Sequence, residues 1–157
     1  MNMRVSVAEL PGEDGRSEDR VFSAEDAVVV LDGVGALDPR AAERTGWYPH
    51  ELGLRVMELL GPGVDLREVL AEAIGDVAVK YGLRPGSSPA ATVAIVRCTS
   101  ERVEGLVLGD SPIVVFGQDG GVDGCVMGAM TSWSRSCVTG RVSNVGSKPV
   151  TGKNSRP

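Results

Sequence analysis

The chain reads as an α+β domain, and three observations support this class. Strand-like runs come first, two amphipathic helical segments follow, and strand-like runs return, so helices do not alternate with single strands as they do in a parallel α/β fold. The polar pair Glu25-Asp26 lies between two apolar runs, the mark of an antiparallel hairpin. The returning strands are again joined by a short polar segment, Thr99 to Arg102, too short for a crossover connection. At 157 residues, 42% of them apolar, the chain is long enough for one domain with a real core.

The elements can be taken in order. Arg4 to Leu10 alternates apolar and polar residues and predicts a first strand, stopped by Pro11-Gly12. Arg20–Ser23 and Val28–Leu31 then flank the two-residue loop, and that loop length pairs Arg20 with Leu31. Continued outward, the same register sets Asp19 opposite Asp32. Gly46 to Leu60 predicts a helix with Pro49 in its first turn, an apolar face of Leu52, Val56, Leu59 and Leu60, and a stop at Gly61-Pro62-Gly63. Asp65 to Tyr81 predicts a second helix. Asp65 is its cap, Glu68 completes a capping-box pattern, and Leu66, Val69, Leu70, Ala73, Ile74, Val77 and Tyr81 form its stripe. Strands are expected at Ala91–Cys98, Val103–Leu108 and Ile113–Phe116, the last closed by Asp119-Gly120-Gly121.

Charge divides the chain. Residues 1–130 hold all 21 acidic residues and form the expected folded domain, whereas residues 131–157 hold no acid and read as a basic, Ser/Thr/Gly-rich, disordered tail. The acidic body argues against a nucleic-acid partner. No apolar run approaches the length of a membrane helix and no signal-peptide core opens the chain, so a cytoplasmic location without membrane association is expected. Cys98, Cys125 and Cys137 form no CxxC pair and His50 is the single histidine, which excludes a disulfide framework and a structural zinc site. The segment GSKPVTGKN lacks the spacing and the Ser or Thr of a phosphate loop.

The chemistry-bearing residues are carboxylates. The hairpin register brings Glu18, Asp19 and Asp32 to one end of one sheet, and Asp110 stands at the end of another strand between Gly109 and Ser111. Clustered carboxylates repel unless a cation neutralises them, and hard, oxygen-seeking ions such as Mg²⁺ or Mn²⁺ suit such a set. Gly33 allows a turn in which a backbone carbonyl faces the ion. Ordinary turn acids are the alternative on spacing alone.

Four motifs taken together carry a resemblance. Arg16-Ser17-Glu18-Asp19-Arg20, VVVLDGVGA, SPAATVAIVR and LVLGDSPIVVF stand in the order and setting found in metal-dependent protein phosphatases of type 2C, in their short bacterial form. From about Arg4 to Gly121 the chain resembles the amino-terminal half to two-thirds of that domain. The resemblance implies two antiparallel β-sheets in a sandwich flanked by helices, α-β-β-α, incomplete at the carboxyl-terminal end. It further implies a binuclear Mn²⁺ or Mg²⁺ site, with Asp32 as the bridging carboxylate, Gly33 as carbonyl ligand, Glu18 and Asp19 as supporting acids and Asp110 at an additional, weaker metal. Arg16 is the nearest match to the arginine that holds substrate phosphate.

By this resemblance the activity is hydrolysis of phosphoserine or phosphothreonine in a protein substrate by metal-activated water. Two departures stand out. Ala36 replaces the second glycine after the DGxG turn, and Asp119 and Asp123 are the only acids after Asp110, where such phosphatases take further metal ligands from a segment well downstream. The expectation is therefore a truncated form whose site lacks ligands, with a catalytically incomplete fragment or regulatory binding module as the alternative to an active enzyme. Exposed sheet edges would then favour self-association.

Overall fold

The computed structural model describes residues 3–10, 17–34, 46–86, 88–116, 121–126 and 130–134. The elements run β1 (Arg20–Ser23), β2 (Ala27–Val34), α1 (Trp47–Leu59), α2 (Leu66–Tyr81), β3 (Ala90–Cys98), β4 (Arg102–Leu108), β5 (Ile113–Phe116), β6 (Val122–Val126) and β7 (Met130–Ser134). Five strands form one antiparallel sheet in the order β1-β2-β3-β4-β7, and β5 pairs with β6 separately. The α+β class holds. Among the described residues both helices belong to the one face, and the opposite face carries the β5–β6 pair rather than a full second sheet.

The hairpin register is the one the loop length dictates, with Arg20 opposite Leu31 and Phe22 opposite Val29. Ala24 N–H donates to the Ala27 carbonyl at 2.8 Å and closes the turn. Helix α1 rests on β1, β2 and β3 and packs beside α2. The cap of α2 differs in detail from the capping-box expectation. The Asp65 carboxylate accepts from Arg67 N–H at 2.8 Å, and the Arg67 guanidinium closes on the same carboxylate at 2.7 Å, which pulls the Asp65 carboxyl down to about 2. Trp47 meets Tyr81 of α2 with ring centroids 4.7 Å apart and packs at the margin of the core, while Tyr48 enters the core.

Two expectations need correction. Residues 4–10 form no strand: Met3 and Val5 pack against the open-face cluster and Met3 N–H reaches the Glu25 carbonyl at 3.2 Å, but no described strand offers the segment a ladder. The boundary drawn at residue 130 falls at the start of β7, which adds an edge strand to β4 with Val103 opposite Trp133. Its backbone pairing overrides a polar composition that reads as tail. Residues 135–157 lie outside the described residues.

Strand alternation separates two cores. Val29, Leu31, Val93, Ile95 and Leu106 face Leu52, Val56, Leu66, Val69 and Val77 of the helices. Val28, Ala94, Val96, Val103 and Val107 face Ile113 and Val115 of β5. One charged group sits at the helix-side margin. Arg97, buried on β3, pairs with Glu104 opposite it on β4 at 2.5 Å and donates to the carbonyls of Gly61 at 2.8 Å and Val64 at 2.7 Å, tying the α1–α2 loop to the sheet.

Candidate functional site

The end of β2 carries the site because the apolar alternation stops there. Val28 and Val30 set the open face, so Asp32 falls on that face too, away from the helices. Thr92 of β3 lies directly opposite it. Asp19 stands one residue before the first hairpin pair, so the register sets it opposite Asp32. Glu18 and Asp110 complete the acidic surroundings. Burial, then the adjacent carboxyl of Asp19, then the charges of Asp110 and Glu18, push the Asp32 carboxyl up to about 6.

Local contacts fix the approach of these groups. The Arg20 guanidinium donates to the carbonyls of Ser17 at 2.9 Å and Asp19 at 2.6 Å, and Asp19 N–H donates to Ser17 Oγ at 3.1 Å. Arg20 thus clasps the acidic loop and neutralises no carboxylate of it in these bonds. Gly33 is required by close approach: a Cβ there would lie 2.9 Å from Glu18 Cβ and 3.0 Å from Pro49 Cγ. On the other side Gly109, at φ 93°, turns the chain out of β4 so that Asp110 follows on an exposed corner.

Of the residues singled out from the sequence, Glu18 closes on Gly33, the register sets Asp19 opposite Asp32, and Glu18 and Asp110 lie near enough for their charges to act on Asp32. Arg16, Ala36 and Asp119 lie outside the described residues. Among the described residues no three acidic, histidine or cysteine side chains are placed to share one metal ion as they stand. His50 is exposed, its ring 5.9 Å from that of Phe22. Sequence reasoning missed Thr92 and Ser111, buried on the open face, whose hydroxyls are hydrogen-bonded to each other. They stand 19 residues apart, and a threonine in an apolar strand followed later by a serine after Asp110 gives no local signal of that contact.

No protein-family model and no curated protein matches the chain. Solved structures do. The serine/threonine phosphatase PstP/Ppp of Mycobacterium tuberculosis is similar with a TM-score of 0.55 and 18% identity, over 71% of this chain and 48% of that one. The PPM Ser-Thr phosphatase MsPP of Mycobacterium smegmatis, in complex with cacodylate, is similar with a TM-score of 0.53 and 18% identity, over 69% and 45%. The catalytic domain of PstP in complex with two manganese ions gives 0.57 and 16%, over 73% and 50%. The fold is thus shared with PPM serine/threonine phosphatases, and the chain spans about half the length of those it matches. No described helix is long and apolar enough to cross a membrane.

Proposed function

We propose that the chain carries the metal-binding edge of a PPM-type phosphatase and, with Mn²⁺ or Mg²⁺, hydrolyses phosphoserine or phosphothreonine in a protein substrate. The observation that carries this reading is geometric: the hairpin register sets Asp19 opposite Asp32 at the end of β2, and Glu18 closes on Gly33 beside them, so acids from two strands meet at one edge of the sheet. A carboxylate held there against its own charge fits a site completed by a cation, because a bound cation would convert the repulsion into ligation. The likeness to a fold crystallised with two manganese ions supports the same choice of metal.

In this reading Asp32 is the central ligand, the Gly33 carbonyl and the carboxylates of Glu18 and Asp19 support it, and Asp110 engages a weaker ion. The side chains would close on an ion partly through water. When bound, the ions lower the pKa of water and stabilise charge developing on the phosphoryl group. Arg20 keeps the acidic loop in place through the Ser17 and Asp19 carbonyls, and Arg16 is assigned to the substrate phosphate. The sandwich expected of the fold would begin its second sheet with β5 and β6.

Calorimetry with Mn²⁺ followed by phosphopeptide turnover tests the proposal. Mn²⁺ binding that Asp32→Ala abolishes, together with Mn²⁺-dependent phosphate release, is the expected result. Binding that ignores Asp32→Ala removes the site. Asp32-dependent binding with no turnover overturns the enzyme and leaves a regulatory binding module.

A further inference from the structure

We infer that Thr92 and Ser111 form a positioning pair: the bond between their hydroxyls holds the turn Gly109 to Pro112 against the end of β3 and sets Asp110 beside Asp32. The inference rests on the phosphatase reading and deepens it, by naming what holds the acid of the weaker metal.

Placement makes the case. Thr92 is opposite Asp32 in the β2–β3 ladder, and Ser111 directly follows Asp110. One hydrogen bond therefore joins the immediate neighbours of two acids that come from different parts of the chain. Both hydroxyls are buried, 9% and 4% exposed as residues, in a face otherwise lined by Ala94, Val96 and Ile113. Packing there calls for no hydroxyl, and an unpaired one would be costly, so the pair has a directional role that a valine and an alanine would not fill. The two segments are also in direct contact. A Cβ at Gly109 would lie 2.8 Å from Thr92 Cγ2, so the turn is seated directly on this side chain. Asp110 itself is exposed, and its charge nevertheless reaches Asp32. Freed of the clasp, the turn would no longer hold Asp110 at the edge where Asp32 lies.

The test uses the full chain, ¹⁵N-labelled, titrated with Mn²⁺ while paramagnetic broadening of individual amides and the binding heat are followed. In the wild type the amides of Asp32 and Asp110 both broaden. Thr92→Val, close in shape, is expected to weaken the broadening at Asp110 relative to that at Asp32 and to weaken Mn²⁺ binding by about tenfold, as losses outside the ligand set commonly do. Ser111→Ala should do the same, and decides the matter if Thr92→Val fails to give a folded spectrum. Thr92→Ser, which keeps the hydroxyl, should restore the wild-type pattern. Unchanged broadening and affinity in Thr92→Val and Ser111→Ala overturn the pair, as does a Thr92→Ser variant no better than Thr92→Val. Broadening at neither acid in the wild type overturns the phosphatase reading and the pair with it.

Discussion

The two faces of the sheet put carboxylates to opposite uses. On the helix side Glu104 stands against Arg97 and Arg102; burial alone would raise its carboxyl, but the two guanidiniums outweigh that and hold it below the usual range. On the open side the charged groups that act on Asp32, among the described residues, are the acids Asp19, Asp110 and Glu18, and its carboxyl is pushed up to about 6. Strands β2, β3 and β4 each present alternate residues to the two faces, so the alternation puts Glu104 of β4 on the helix side and Asp32 of β2 on the open side. A carboxylate kept where it costs stability is the mark of a site built for something else.

The comparison breaks most visibly if the paired side is opened. Glu104→Ala leaves the Arg97 guanidinium buried without its carboxylate, and a loss of about 3–5 kcal/mol is expected in urea unfolding. Packing gives the next largest effect. Leu31→Ala, in the helix-side core, should cost about 3 kcal/mol, whereas Val30→Ala, one residue away and only partly buried on the open face, should cost under about 1.5 kcal/mol. Equal losses at the two positions would mean that the open face is as fully packed as the other.

Much of this asymmetry is legible in the sequence. A two-residue loop leaves β1 and β2 one register, and that register brings Asp19 to Asp32 without knowledge of the rest of the fold. The helices are equally plain, because their stripes and caps are local. What could not be read is non-local or counter to composition. Strand β7, MTSWS, lacks an apolar period and is held by pairing to β4; Arg4 to Leu10 has the period and lacks the partner. The Thr92–Ser111 bond depends on where the turn after β4 folds back, which no short window encodes.

Cation binding sharpens the open side. Mn²⁺ at about 100 times its Kd should raise stability by about 2.7 kcal/mol at pH 7, checked as an upward shift of Tm. Asp32→Asn should reverse the order of events. Without metal the variant is expected to be more stable than the wild type by about 1 kcal/mol, since solvent screens part of the repulsion, and it should gain nothing from Mn²⁺. A variant less stable than the wild type without metal would show that Asp32 supports the fold.

The smallest effect is the one that tells the faces apart by sign. Glu104, held low when folded, contributes stability that is fully present above its unfolded value of 4.5 and is lost as the pH falls below it. Asp32 behaves in the opposite sense. Its folded value of about 6 exceeds the unfolded 3.8, so the folded chain binds the extra proton between them, and stability falls as the pH rises through that interval and levels off above it. The metal-free protein should therefore be most stable near pH 4–5, with a decline of about 1 kcal/mol towards pH 7. Urea unfolding at a series of pH values checks the shape. Asp32→Asn should remove the decline on the alkaline side and leave the acid side intact, while Glu104→Gln should lessen the acid-side loss, to which Asp65 and Glu51, also held low, contribute the rest. Saturating Mn²⁺ should carry the optimum upward, because the ion takes the place of the proton that Asp32 otherwise needs. A metal-free optimum that stays at pH 7 would mean that the carboxylates around Asp32 are far enough apart in solution to ionise independently.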